Sequence, residues 1–296
     1  MVITDPVSTP TNIRARQIAD ADVEDVINVL TRGFAADRSR KFWVDMLRCL
    51  SERPVPEGYP RYGFLMESNG AVVGVIILIF STVWVNGAAK IRGNVSSWYV
   101  DPAFRSYAPM LASQAPKYKN ATILNISASP HTHLMVKAWR FTRYSNGLFA
   151  AIPALSRAPD DASVRIIAAR EEPNAPYDPH DRDLLHEHED FGCKGLWCVT
   201  QQEAHPFLFR MRHVKHILPT AQLIYCRSIE DFVRFARPIG WHLARSACFF
   251  TLLDANGPIP GLIGKYYDDK YPKFFLGPDP PRMGDLAYTE TAMFGV

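Results

Sequence analysis

The stretch Trp98-Tyr99-Val100-Asp101-Pro102-Ala103-Phe104-Arg105-Ser106-Tyr107-Ala108-Pro109-Met110 sets an arginine where a strand is expected to run into a helix. Such a junction leaves the first backbone N–H groups of the helix unpaired and adds the positive end of its dipole. It can therefore hold an anion such as a pyrophosphate. Pro109 removes one of the donors. A second chemical set, His180, Asp181, Asp183 and the run His186 to Asp190, is rich in metal-ligand types. His186 and His188 are two apart, so on a helix they point away from each other and cannot share an ion. That set reads as a solvated, charged helix. His131-Thr132-His133 follows Pro130, where a helix is expected to begin. The chain has no Gly-x-Ser-x-Gly elbow, no Walker loop and no Gly-x-Gly-x-x-Gly fingerprint.

The elements that must position these residues follow from periodicity. Ile13 to Gln17 alternates as a strand. Asp20 can cap a helix in which Val23, Val26, Ile27, Leu30 and Phe34 share a face. The loop 35–39 leads to a second helix carrying Phe42, Trp43, Met46, Leu47 and Leu50, stopped by Pro54 and Pro56. Tyr62 to Glu67, the turn Ser68-Asn69-Gly70, Ala71 to Trp84 and Arg92 to Val100 read as three strands of a meander. A helix over Arg105 to Tyr118, a strand over Thr122 to Ser127, a helix over His133 to Tyr144 capped by Asn146-Gly147, and a strand over Leu148 to Ile152 complete this half.

That order, with the residues on it, resembles the GNAT superfamily of acyl-CoA-dependent N-acyltransferases. Gly33-Phe34-Ala35-Ala36-Asp37 with Phe42-Trp43 resembles the segment that walls the family's acceptor pocket. Gly70-Ala71-Val72-Val73-Gly74 resembles its β-hairpin, and Trp98 to Met110 sits where it has its pyrophosphate loop. The resemblance covers about residues 12–152 and implies an α/β fold on a mixed sheet. It implies acetyl-CoA or a longer acyl-CoA as co-substrate, with no metal. Arg105 and the backbone of Ser106, Tyr107 and Ala108 would then hold the pyrophosphate, and Trp98, Tyr99 and Val100 would pair with the pantetheine arm as if it were a strand. Ala108 and Met110 stand where the family pattern has glycines, so both would lie against the phosphates, Met110 with a side chain where backbone should approach them. Phe34, Asp37, Trp43 and His131 would line the acceptor side. Transfer needs a neutral amine, an oxyanion donor and an acid for the thiolate. Tyr144 is the nearest phenol for the acid, and Glu67 or Ser96 could serve as base or relay.

The second half reads as a worn copy of the first. After a proline-rich linker come a strand (Val164 to Ala169), a helix (His180 to Asp190) and strands over Gly195 to Thr200, Phe207 to Val214 and Ala221 to Cys226. A helix capped by Ser228 comes next, interrupted at Pro238-Ile239-Gly240. Strands over Cys248 to Leu253, Gly261 to Tyr266 and Leu286 to Met293 end the chain. No phosphate-loop signature accompanies these strands. The expectation is two tandem GNAT-like domains, residues 1–155 with the acyl-CoA site and residues 156–296 degenerate. An unrelated α+β domain is the alternative for the second half.

Composition narrows the function. The 296 residues are 47% hydrophobic and 21% charged, an ordinary globular balance. Net charge is 33 − 30 = +3, too even for a general nucleic-acid binder. The first 150 residues hold 17 basic and 11 acidic side chains and the rest 16 and 19, so the excess of cations lies in the first half. Five widely spaced cysteines read as free thiols of a reducing cytoplasm. The longest apolar run, Ala71 to Val85, is too short and too β-branched for a membrane helix. The expected protein is a cytoplasmic N-acyltransferase (acetyltransferase) acting on a small-molecule amine, without DNA or membrane partners, and with a homodimer allowed. Two rivals remain. One is a non-catalytic GNAT-fold protein binding an acyl-CoA or a partner chain, favoured by Pro109 and Met110. The other is an aminoacyl-tRNA-dependent peptidyl transferase.

Overall fold

The computed structural model describes residues 12–85, 87–128, 132–157, 164–214 and 217–295. The chain forms two compact units, residues 1–123 and 124–296.

The first unit opens with β1 (Ile13–Gln17), then α1 (Val23–Gly33) and α2 (Arg40–Glu52). Asp20 does not cap α1. A 3-10 turn over Asp20–Asp22 intervenes, Asp20 accepts the Tyr62 hydroxyl at 2.8 Å, and the Asp22 carboxylate takes the Ala19 N–H. Ser39 caps α2, and Trp43, Met46, Leu47 and Leu50 are its buried stripe. β2 (Gly63–Ser68), β3 (Ala71–Val85) and β4 (Ala88–Val100) form an antiparallel meander, with β1 beside β2 and β5 (Ala121–Asn125) beside β4. Asn69 and Gly70, both at positive φ, make the tight turn between β2 and β3. β3 reads as one apolar run because it is covered on both faces. α1 lies over the face that carries Tyr99, and α3 (Ala108–Ala112) over the face that carries Gly74.

The helix expected over Arg105 to Tyr118 is broken. A 3-10 turn over Pro102–Tyr107 leads into the short α3, and a second 3-10 turn covers Ala115–Lys117. Pro102, Pro109 and Pro116 each lack an N–H, so prolines seven apart let no longer α-helix run through.

The second unit takes α4 (His133–Ala138) and β6 (Thr142–Ala151) from the chain's first half. The expected helix to Tyr144 stops early in a Schellman motif. Phe141 N–H bonds the Val136 carbonyl at 3.1 Å, Arg140 N–H bonds that of Lys137 at 3.0 Å, and Arg140 itself takes φ 60°. Gly147 is no helix cap either. It lies inside β6, where a Cβ would collide with the Tyr267 carbonyl. The partners of β6 are β11 (Phe250–Ala255) and β12 (Gly264–Leu276). The structural division therefore falls before β6, not after it at residue 155, because strand pairing decides which unit a segment joins.

The other elements are β7 (Arg165–Ala168), α5 (Pro179–Asp190), β8 (Lys194–Val199), β9 (Ala204–Val214), β10 (Leu218–Cys226), α6 (Ile229–Ala244) and α7 (Glu290–Phe294). Strand order is β12-β6-β11-β10-β9-β8-β7. The β10–β11 pair is parallel and the other described pairs are antiparallel, which makes the sheet mixed. The parallel pair follows from α6, a crossover that returns the chain in the same direction. Ser228 caps α6 as expected, accepting Asp231 N–H at 3.0 Å, but the helix continues through Pro238 to Ala244. Its buried face, Phe232, Phe235, Ala236, Ile239 and Leu243, holds it in place, and Gly240 lets the backbone of Pro153 and Ala154 pack directly on it. The strand expected over Leu286 to Met293 is instead a single bridge at Asp285 followed by α7. Thr289 binds its hydroxyl back to the Leu286 carbonyl at 2.6 Å, turning the chain there.

Candidate functional site

The first unit gathers several of the expected residues at the C-terminal end of β4. Ile76 pairs with Trp98 and Ile77 with Ser96, so Ser97 is an extra residue, a β-bulge. The bulge resets the alternation and puts Tyr99 opposite Val75, under α1. Gly33 is required there, because any Cβ would enter the Tyr99 ring. The next residue, Phe34, lies 6.2 Å from Tyr99 and 5.3 Å from Trp43 between ring centres, and Phe42 stands edge-on to Trp43 at 4.9 Å. Three proposed residues, Phe34, Trp43 and Tyr99, thus form one aromatic wall. Trp43 is 2% exposed, and its indole N–H has no hydrogen-bond partner among the described residues. A buried donor left unpaired is costly.

Beyond Tyr99 the strand end is clamped. Arg32 grips Asp101 through both carboxylate oxygens, at 2.8 and 2.6 Å, and reaches the Val72 carbonyl at 3.0 Å. Asp101 N–H also bonds the Val73 carbonyl at 2.9 Å. Burial pushes the Tyr99 phenol up from its ordinary value; the Asp101 charge and hydrogen bond add to this, and Arg32 and Arg105 pull it partly back. It is a neutral O–H donor at physiological pH. Arg105 stands exposed on the 3-10 turn and has no ion-pair partner among the described residues. Ser106 is exposed beside it, and Tyr107, Ala108 and Met110 are half-buried on the same segment. In a 3-10 turn each N–H turns toward the carbonyl three residues back, as Ala108 N–H does toward Arg105. Fewer backbone donors face outward here than in the cradle expected from the sequence. The charge of Arg105 is the clearest anion-attracting feature that remains.

The other candidates lie elsewhere. Glu67, on β2, is buried and held by Arg14 and by Arg16, the latter at 2.8 Å, with Arg16 also clamped to Asp22 at 2.6 and 2.7 Å. These hydrogen bonds lower the Glu67 carboxyl below its ordinary value. Its geometry is that of a tie between β1 and β2, since Arg14 lies directly opposite it in register. Ser96 is buried on β4, with its hydroxyl 3.3 Å from that of Ser97. Tyr144 lies on β6 rather than on a helix, and its ring packs edge-on to Phe275 at 6.1 Å within an apolar cluster of the second unit. Asp37 is exposed in the turn after α1, its N–H on the Phe34 carbonyl at 2.9 Å. His131 lies outside the described residues. Sequence reading missed the Arg32–Asp101 clamp and the Ser97 bulge. The first joins residues far apart in the chain, and the second shows only in strand register.

The metal-like set on α5 resolves into structure. His188 is buried, not solvated. Its Nδ1 is 2.8 Å from the Leu184 carbonyl and its Nε2 accepts Tyr288 N–H at 2.9 Å. Burial pulls its pKa down to about 4, so it is neutral. His186 bonds the Ala169 carbonyl at 3.1 Å. Among the described residues no group of three His, Cys, Asp or Glu side chains is placed to hold a metal ion. Cys193, Cys198, Cys226 and Cys248 are buried free thiols, and Cys49 is half-buried. Among the described residues no helix is long and apolar enough to cross a membrane.

No family model matches the sequence, and no curated protein matches it. Solved structures do match in fold. A conserved protein of unknown function from Enterococcus faecalis V583, called a probable N-acyltransferase, aligns with a TM-score of 0.55 and 10% identity over 94% of this chain and 74% of its own. A GCN5-related N-acetyltransferase from Anabaena variabilis aligns with a TM-score of 0.56 and 9% identity over 89% of this chain and 72% of its own. Another, from Kribbella flavida, aligns with a TM-score of 0.56 and 12% identity over 89% and 70%. At these identities the likeness is one of backbone path. The chain has the GNAT-like fold of the acyl-CoA N-acyltransferases.

Proposed function

We propose that the chain is an acyl-CoA-dependent N-acyltransferase whose site lies at the C-terminal end of β4 in the first unit. The observation that carries this reading is the Ser97 bulge. It turns the end of β4 so that Tyr99 joins Phe34 and Trp43, while the Arg32–Asp101 clamp fixes the turn that presents Arg105. The backbone of Trp98 to Val100 pairs with the pantetheine arm by strand addition. Arg105 meets the pyrophosphate, with Ser106, Tyr107, Ala108 and Met110 beside it. The amine acceptor lies against Phe34, which the buried Trp43 backs, with Asp37 at the rim.

In the reaction the amine nitrogen attacks the thioester carbon, the C–S bond breaks, the thiolate takes a proton and the amine gives one up. Tyr99 suits the first proton, being a phenol kept neutral within the aromatic wall. Glu67 suits the second poorly, since two arginines stabilise its carboxylate. The amine proton passes to water in this scheme, directly or with Ser96 as a relay. Tyr144, packed among apolar side chains, is set aside as the acid in favour of Tyr99.

The 3-10 turn, Pro109 and Met110 favour a second reading, in which the same site binds acyl-CoA without turnover. One experiment separates the two. The protein is titrated with CoA, acetyl-CoA and longer acyl-CoAs by thermal shift, then incubated with acetyl-CoA and a panel of small amines while free thiol is measured. Stabilisation with amine-dependent thiol release is the result expected of the transferase. Stabilisation without release supports the binding protein, and no shift at millimolar acyl-CoA overturns both.

A further inference from the structure

In the second unit, β10 and β11 pair only over Thr220 with Phe250, Ala221 with Thr251 and Gln222 with Leu252. Both strands continue, to Cys226 and Ala255, without pairing further with each other. β10 is also bulged there: Leu223 pairs with Phe209 and Tyr225 with Leu208, leaving Ile224 as the extra residue. Two parallel strands that part in this way leave a row of backbone groups on the facing edge of β10, and such an edge takes up any extended chain that reaches it.

The chain itself reaches it. Cys226 N–H donates to the Gly284 carbonyl at 2.9 Å, Leu286 N–H donates to the Ile224 carbonyl at 2.7 Å, and Tyr225 forms a bridge with Asp285. Arg282 anchors the approach, its guanidinium donating to the Cys226 carbonyl and stacking 4.9 Å from the centre of the Tyr225 ring. Gly284 has φ +75°, and a Cβ there would lie 2.6 Å from Cys226 Sγ, so the close seat needs a glycine. Asp285 is 8% exposed, which makes the segment part of the interior.

We propose that Gly284–Leu286 is a built-in strand that occupies the cleft between β10 and β11 and closes it to extended ligands from outside. It makes with β10 the backbone hydrogen bonds that an incoming pantetheine arm or peptide strand would need. The start of α6 points the same way. Ser228 already takes the Asp231 N–H, and Glu230 and Asp231 place negative charge where a phosphate would require positive. The closure stands on backbone pairing. Only the naming of acyl-CoA as an excluded ligand rests on the proposed function.

Site-resolved hydrogen exchange on the full chain tests it. The amides of Cys226 and Leu286 should exchange as slowly as those of the β9–β10 ladder. Leu286→Pro, which deletes the N–H bonded to Ile224, should speed exchange at Cys226 at least tenfold and leave β1 to β4 unchanged. Should that variant not fold, Arg282→Ala should give a smaller acceleration at the same amide. Cys226 and Leu286 amides that exchange like open chain in the wild-type protein would overturn the proposal. So would CoA protecting the β10–β11 edge while Gly284–Leu286 is displaced. Failure of the acyl-CoA reading has a different signature, the absence of CoA protection over Trp98 to Met110, and leaves the Cys226 and Leu286 measurement to be read by itself.

Discussion

Arg105 and Met110 stand five residues apart on one segment, and in the proposed site they are expected to act in opposite senses on an anion. Arg105→Ala is expected to weaken CoA binding by about 1.5–3 kcal/mol, the worth of a charge-assisted hydrogen bond. Because Arg105 is exposed and forms no ion pair among the described residues, its loss should leave the melting temperature of the free protein nearly unchanged. Met110→Gly removes a side chain that the family resemblance sets against the phosphates. It should tighten binding despite a helix-propensity cost of about 1 kcal/mol if that side chain obstructs the phosphates, and only destabilise α3 if the loop has adapted to it. Calorimetric affinities of the two variants read this directly. His188 carries a second prediction. Its pKa lies near 4 in the folded protein and 6.5 in the unfolded chain, so between these values the unfolded chain holds more protons. The stability that neutral His188 contributes is present above about pH 6.5 and is lost as pH falls toward 4, by about 3 kcal/mol in all. Urea unfolding across that range should show the loss, and His188→Leu should flatten it within this window.

At the scale of elements, β6 and α6 are where local pattern and final structure part. Gly147 looks like the end of a helix because Asn-Gly closes a helical run, yet it serves the close approach of β6 to β12. Gly147→Ala should cost about 1–3 kcal/mol through overpacking against backbone. Gly257→Ala, at a site with nothing within 4 Å, should be nearly neutral by the same urea assay. In α6 the Pro238-Ile239-Gly240 triplet carries two helix-breaking residues, and the helix runs through because the apolar side chains of one face bury together. The helix after β4 has no such face and yields to its prolines. α3 keeps only Leu111 and Ala112 buried.

At the scale of the whole molecule, each unit carries a bulged strand that runs into a helical segment, β4 with Ser97 and β10 with Ile224, and tandem copies would account for that likeness. The two units differ just beyond that strand. In the first, Asp101 is clamped and Arg105 is presented; in the second, Gly284–Leu286 lies along the strand and the helix begins with two acids. One CoA per chain is therefore the expected calorimetric stoichiometry, with Arg105→Ala weakening that single event. Two equivalent sites would contradict the division of roles between the units.

Local sequence pattern alone determined the meander β2–β3–β4, the helices α1, α2 and α5, and the cap at Ser228, because these depend on neighbours within a few residues. It also placed Phe34 and Trp43 on elements that meet. The rest depends on partners distant in the chain. A bulge is an offset between two strands, so Ser97 is visible only against Ile76 and Ile77. Glu67 becomes a structural tie only when Arg14 and Arg16 are laid beside it. β6 leaves the first unit because its hydrogen-bonding edges match residues 250–255 and 264–276, which no local reading of 142–151 contains. Gly284–Leu286 is too short for any pattern to announce a strand. It acquires one because β10 and β11 diverge and leave backbone groups that must be paired.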